Sequence, residues 1–282
     1  MNTEKIVAVV TGASRGVGKG VALGLGEAGA TVYITGRTVE DGKSAEGLPG
    51  SIHQTAEEVN KLGGKGIPIQ CDHRNDAEVE KVFKEILSKE KQIDILVNNV
   101  WGGYEFMAEK KGETYVFTFI EPFWNQPLWR WDSMFQAGVR ANYAASQFIA
   151  PLMIEQKRGL IVNISFWAAQ KYSGNLAYGV AKAAVDKMSE YMAHELKPHK
   201  VAVVSLYPGL VRTESVMRNA KYFDLTNSES PQFIGRVVSA LAGDPDIMKK
   251  SGKVLIAAAE AIEYGVKDID GRQPRPLTLE SV

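Results

Sequence analysis

Short apolar runs alternate with helix-forming stretches along this chain, and that alternation limits the folds open to it. Runs that read as strands lie near residues 5–10, 31–35, 66–70, 93–97, 159–164, 201–206 and 253–256. Helical patterns fall between them, near 17–28, 52–62, 76–89, 131–156, 176–197 and 231–243. A near-continuous run such as Lys5-Ile6-Val7-Ala8-Val9-Val10 suits a strand buried on both faces. Strand–helix repeats joined by short links predict an α/β fold, a single doubly wound domain over residues 1–282. Its parallel sheet would have about seven strands, with helices on both faces. Ligands of such sheets bind beyond the carboxyl ends of the strands. Gly12, Arg37, Asp72, Asn98, Ser165 and Pro208 all fall at or just after such ends, which points to one site.

The first strand runs straight into Thr11-Gly12-Ala13-Ser14-Arg15-Gly16-Val17-Gly18, and Lys19 to Ala28 reads as a helix closed by Gly29. A strand, a glycine-rich turn and a helix N-terminus make a pyrophosphate site, because backbone N–H groups and the helix dipole both favour an anion there. The spacing is G-x-x-x-G-x-G. It is not the P-loop, since Gly18-Lys19 is followed by Gly20 and Ala13 holds the first glycine place. It is not G-x-G-x-x-G either. Turn and sheet together predict a Rossmann-type nucleotide-binding domain.

Tyr178 and Lys182 are four residues apart and so share one face of a helix. A free phenol ionises near pH 10, at about 10. A nearby ammonium group stabilises the phenolate and lowers that value. Such a pair suits moving a proton on or off an alcohol oxygen.

T-G-A-S-R-G-V-G with a later Y-x-x-x-K resembles the short-chain dehydrogenase/reductase family. Asp72 after the third strand, Asn98-Asn99 after Ile93-Asp94-Ile95-Leu96-Val97, Ile161-Val162-Asn163-Ile164-Ser165, and Pro208-Gly209-Leu210-Val211-Arg212-Thr213 fit its pattern in order. The likeness covers roughly residues 4 to 260. Residues 29–37 and 178–184, with Tyr264 and Asp270-Gly271-Arg272, are most similar to a subgroup acting on steroid and xenobiotic carbonyls. The resemblance implies hydride transfer between a reduced nicotinamide and a carbonyl carbon, with Tyr178 protonating the oxygen. It implies catalytic Ser165, Tyr178 and Lys182. It implies cofactor contacts from Gly12, Ser14, Arg15, Gly16, Val17, Gly18, Arg37, Asp72, Asn98, Tyr178, Lys182, Pro208, Gly209, Val211 and Thr213. In it Asp72 lies beside the adenine, Asn98 near the adenosine ribose, Lys182 on the nicotinamide ribose and Thr213 at the carboxamide. Arg37 ends the second strand, where NAD enzymes tend to carry an acidic side chain, and Arg15 could add a second cation. Guanidinium groups bind phosphate in a planar, bidentate way, so NADP(H) is expected over NAD(H).

Two positions depart from the family. Counting thirteen residues back from Tyr178 reaches Ser165 as the catalytic serine, whereas aligning the preceding strand puts Phe166 in that place; Ser165 is favoured, with Ser173 a distant alternative. Where the family carries a helix-kinking asparagine that holds a relay water, this chain has Gly138, and Asn142 lies one turn further on, roughly 6 Å away. The expected set is then Ser-Tyr-Lys.

Residues 101–130 form an aromatic-rich insertion, with Trp101, Tyr104, Phe106, Tyr115, Phe117, Phe119, Phe123, Trp124 and Trp129. It reads equally as a wall over a bulky apolar substrate and as packing against the body or a partner subunit. Lys+Arg and Asp+Glu are 33 each, so no net field draws nucleic acid or an anionic membrane. No apolar run is long enough to span a bilayer. The single cysteine, Cys71, excludes an intrachain disulfide, reads as a small buried residue, and fits a reducing, cytoplasmic setting. A strand begins almost at once, leaving no room for a signal peptide. His194 and His199 read as surface or capping residues, and no cluster has metal-ligand spacing. A homodimer or homotetramer through helices 131–156 and 176–197 is expected by resemblance. The leading function is an NADP(H)-dependent carbonyl reductase or alcohol dehydrogenase. A non-catalytic NADP(H)-binding sensor or assembly protein is the alternative, and a Rossmann-like methyltransferase would leave Tyr178, Lys182 and Arg37 unexplained.

Overall fold

The computed structural model describes residues 6–282 apart from 106, 112 and 113, and does not describe the side chains of 108–111 and 114–116. Expectations that fall on Lys5, Phe106 and the Tyr115 side chain therefore lie outside the described residues. Seven parallel strands form one sheet: β1 (Val7–Val10), β2 (Thr31–Gly36), β3 (Lys65–Gln70), β4 (Ile95–Asn98), then, after a hairpin of β5 (Ala108–Lys111) and β6 (Thr114–Phe117), β7 (Gly159–Ile164), β8 (Val201–Tyr207) and β9 (Val254–Ile256). Their order is β3-β2-β1-β4-β7-β8-β9. Register is continuous across the centre, with Val9 beside both Tyr33 and Leu96, and Val162 beside both Val97 and Val204. This is the expected doubly wound Rossmann-type α/β fold, and all seven expected strands are present.

Side chains alternate across each strand, and the two faces build separate cores. Ala8, Val10, Val32, Ile34, Ile95, Val97, Val162 and Val204 point to one face. That face is covered by α1 (Gly16–Glu27), α2 (Ile52–Lys61), α8 (Pro231–Ala242) and α9 (Ala257–Glu263). Val7, Val9, Tyr33, Leu96, Ile161, Val201 and Val203 point to the other, under α3 (Asp76–Lys89), α5 (Ala141–Gln156) and α6 (Leu176–Leu196). Each fully buried valine or isoleucine contributes roughly 1.5–3 kcal/mol, so a strand slip by one residue, which swaps the faces, is strongly disfavoured. α1 and α8 cross closely: a Cβ on Gly24 would come 2.3 Å from the Gly235 carbonyl carbon.

The expected helix over 131–156 is broken. Chain direction is kept, but α4 (Leu128–Ser133) leads into a π-helical stretch, Met134–Arg140, before α5. Gly138 lies in that stretch, and such insertions are frequent at functional sites. Side-chain caps start the helices that matter for the groove. Asn75 caps α3, and Asn175 caps α6 by accepting the Tyr178 N–H at 2.9 Å. α7 (Glu214–Arg218) starts on Thr213, which accepts from Val216.

The insertion is packed. Arg130 is 1 % exposed and donates to the Thr118 carbonyl (3.1 Å) and hydroxyl (3.0 Å). Gln126 donates to the carbonyls of Thr118, Phe119 and Glu121 and bonds Arg130. Phe119 is buried, while Phe123, Trp124 and Leu128 are exposed.

Candidate active site

β1 ends between β2 and β4, where the strand order reverses and a crevice opens at the carboxyl edge. The glycine turn is tied there on both sides, with the Thr11 N–H donating to Val97 O and the Ala13 N–H to Thr35 O, each at 3.0 Å. Gly12 and Gly16 hold φ of +65° and +59°, a region that L side chains avoid. At Gly12 a Cβ would also meet the Val100 backbone at 2.9 Å. Asn99 fastens the turn from β4, its amide donating to Gly12 O (2.9 Å) and Thr11 O (3.3 Å).

A cavity of about 570 Å³ runs from Arg37 and Asp72 over this turn to Tyr178 and Lys182. Ser14, Arg15, Gly16, Val17, Pro208, Gly209, Val211 and Thr213 also line it, so most of the expected cofactor residues converge. Gly18 lies beneath, where a Cβ would stand 2.3 Å from the Asn99 amide nitrogen. The expectation for Asn98 is corrected. It is fully buried and donates to Ser146 Oγ (2.9 Å) and Asn163 Oδ1 (2.8 Å). Strand alternation sends it with Leu96 toward α5, and Asn99 is the asparagine that lines the groove.

The two arginines are already engaged. Arg15 donates to the carbonyls of Pro49 (3.1 Å) and Gly50 (2.9 Å), and Arg37 pairs with Glu105 at 3.4 Å. Asp72 is bound by the Arg74 guanidinium, which holds its carboxyl below the usual carboxylate range. Glu214 accepts the Gly16 N–H at 2.8 Å. Sequence reasoning missed Asn99, Arg74, Glu105 and Glu214; of these, only Asn99 carried a signal, as the second residue of a quoted asparagine pair.

At the far end of the groove Tyr178 is 9 % exposed and Lys182 7 %. Burial, then the neighbouring Tyr104, pushes the Tyr178 phenol well above its ordinary value. This runs opposite to the direction expected from Lys182 alone, because loss of water outweighs a cation whose Nζ is 5.8 Å from the ring centre. Burial pushes Lys182 down to about 8. Its ammonium donates to Ile164 O at 3.2 Å and sits 4.1 Å above the Trp101 ring. Trp101 also explains Gly138: a Cβ there would lie 2.3 Å from the indole. The indole thus fills the space that a side chain at 138 would need. Asn142 donates to Gly138 O at 2.8 Å, an engagement within its own helix.

Ser165 lines the cavity, but its hydroxyl donates to Lys182 O at 3.3 Å, on the side of Asp186 and Tyr207. The alternation that sends Asn163 to Ser189 on α6 sends Ser165 the same way. Phe166 instead sets its ring 6.3 Å from that of Tyr178. Trp101, Tyr104 and Phe119 complete an aromatic shell, with ring centres 5.3, 6.1 and 6.2 Å from Tyr178. The inner half of the insertion is therefore a wall over the tyrosine. Cys71 is buried, and burial raises its thiol to about 12, which leaves little thiolate. Among the described residues no helix is long and apolar enough to cross a membrane.

The family model for short chain dehydrogenases matches residues 6–222. Dehydrogenase/reductase SDR family member 1 of Mus musculus is 39% identical over 94% of this chain and 84% of its own length. The Homo sapiens protein of that name is 39% identical over 98% of this chain and 87% of its own length. Among solved structures, a metagenomic short-chain oxidoreductase in complex with NADP has a TM-score of 0.67 and 28% identity, covering 89% of this chain and 96% of that one. A 7α-hydroxysteroid dehydrogenase complexed with NADH and 7-oxo glycochenodeoxycholic acid has a TM-score of 0.70 and 25% identity, covering 89% and 92%.

Proposed function

The chain belongs to the short-chain dehydrogenase/reductase family of oxidoreductases, and from that premise we propose that it is an NADP(H)-dependent enzyme interconverting a bulky apolar ketone or aldehyde and its alcohol. The carrying observation is that Tyr178 and Lys182 stand at one end of the groove whose floor is the glycine turn. A nicotinamide cofactor fits that groove on chemical grounds. Gly12 and Gly16 leave room for a pyrophosphate beside the N-terminus of α1, and the cavity continues to the tyrosine. Arg37 and Arg15 support NADP(H), since both border the end where a ribose phosphate would lie and no acidic residue ends β2. For the phosphate to bind Arg37, the exposed Glu105 pair must open, which costs little. One similar structure holds NADP and another NADH, so preference rests on these arginines.

The bound cofactor would supply a hydride to the carbonyl carbon. Tyr178, a phenol that burial makes harder still to ionise, gives its proton to the carbonyl oxygen. Lys182 would orient the ribose and counter the phenolate left behind. Thr213, Pro208, Gly209 and Val211 would hold the nicotinamide end. Trp101, Tyr104, Phe119 and Phe166 form an apolar surface suited to a bulky ring system, and a similar enzyme holds a 7-oxo compound. We read residues 1–282 as one such unit carrying the 101–130 insertion. We also infer a homodimer or homotetramer, supported by exposed Tyr143, Val180 and Tyr191 on α5 and α6.

Titration with NADPH and NADH, followed by NADPH oxidation against bulky ketones, tests the reading. Tighter NADPH binding with turnover is expected; equal affinities would remove the phosphate role of Arg37. The direction of the Ser165 hydroxyl favours a second reading, a cofactor-binding protein without turnover, which inertness on every ketone would support.

A further inference from the structure

The geometry points to Tyr104 as a further catalytic residue, its hydroxyl taking the place beside Tyr178 that Ser165 was expected to fill. This rests on the proposed reductase activity. A carbonyl oxygen that gains negative charge during reduction needs a hydrogen-bond donor besides the group that protonates it. Ser165 is turned to Lys182 O, and Phe166 beside Tyr178 has no donor. Tyr104 does. Its ring centre lies 6.1 Å from that of Tyr178, and it lines the same cavity. Trp101 and Phe119, with ring centres each 5.8 Å away, brace it from both sides.

Tyr104 keeps its proton at neutral pH, burial raising its phenol to about 12, so its O–H can donate. In the reaction the carbonyl π bond opens as hydride joins carbon. The Tyr178 O–H bond breaks and its proton passes to the substrate oxygen. Tyr104 keeps its own proton throughout and donates a hydrogen bond to that oxygen; water then returns a proton to Tyr178. The donor comes from the insertion, not from the end of β7, so the segment that shapes the substrate wall also completes the chemistry.

The test compares Y104F, S165A and Y178F in full-length protein, reading NADPH-dependent kcat on a bulky ketone, NADPH affinity by fluorescence, and Tm. Loss of one such donor typically costs about 10²–10³ in kcat. Y104F is expected to fall about 100-fold with NADPH affinity unchanged, while S165A keeps most of its activity. Replacing Tyr104 with 4-aminophenylalanine, which retains a donor at the same place, should recover part of the loss, and this also covers a poorly folding Y104F. Wild-type kcat in Y104F, or an equal loss in S165A, would overturn the inference while leaving the reductase reading intact. A wild-type protein inert on every carbonyl, or an active Y178F, would instead overturn that reading and this inference with it.

Discussion

The two ends of the groove are built differently. At the cofactor end the work is done by backbone: glycines in left-handed conformation, N–H groups at the start of α1, and strand carbonyls that fix the turn. At the Tyr178 end it is done by side chains drawn from distant segments. Trp101 and Tyr104 come from the insertion, Ala137 from the π stretch, Phe166 from just past β7, and Tyr178 and Lys182 from α6. The first end rests mainly on backbone hydrogen bonds, with His73 Nδ1 a buried side-chain atom left without a partner. The second holds a buried ammonium, a phenol that resists ionisation, and a Trp101 indole N–H with no partner. Burying ionisable groups costs stability, and the second end concentrates that cost in Tyr178 and Lys182, one turn apart on α6.

The largest expected effect separates the ends most sharply. Y178F should cut turnover about 1000-fold with cofactor affinity unchanged, because general acid catalysis is worth about 10²–10⁴. Retained turnover would take the tyrosine out of the mechanism. Next, K182M should abolish or cripple activity yet stabilise the fold. A lysine in the unfolded chain holds its proton to 10.5, whereas the buried one releases it near 8. Between those values the unfolded state binds more protons, so stability rises with pH, and the penalty is complete below about 8. The gain from K182M is then greatest below that pH, on the order of 3 kcal/mol, and fades toward pH 10. Chemical denaturation at pH 7 and pH 9.5 checks it; a gain that grows with pH would show that burial does not set this amine.

R37D acts at the other end only. It should weaken NADPH roughly 10- to 100-fold, since a charged hydrogen bond is worth about 1.5–3 kcal/mol, and leave NADH nearly as before. Equal losses in paired titrations would refute the phosphate role. The smallest effect expected is that of G138A. Alanine favours a helix over glycine by about 1 kcal/mol. Here the added Cβ would stand 2.3 Å from Trp101, so overpacking should win, with a net loss of about 1–2 kcal/mol and lower kcat at unchanged NADPH affinity. Intact stability and kcat would show that the indole can move aside freely.

The same division runs through what could be read before folding. Short apolar runs located the five inner strands, because strands buried on both faces must be apolar throughout, and the edge strands β3 and β9 followed from the strand–helix alternation. The glycine turn was legible because close backbone approach demands glycine at fixed spacing. Asn98 and Ser165 were not, since each lies at a strand end where one residue of shift turns a side chain to the opposite face. Arg74, Glu105 and Glu214 had no pattern at all; they meet the groove only through folding.

By itself the sequence determined the sheet, the turn that can hold a pyrophosphate, and the Tyr178–Lys182 pair, because each depends on local periodicity or on spacing within one helix. Only the tertiary structure decided which rings surround Tyr178, what fills the space left by Gly138, and that burial pushes the tyrosine's phenol well above its ordinary value. Those depend on contacts such as Trp101 with Gly138 and Tyr104 with Tyr178, between segments far apart in the chain, and on the exclusion of water when they meet.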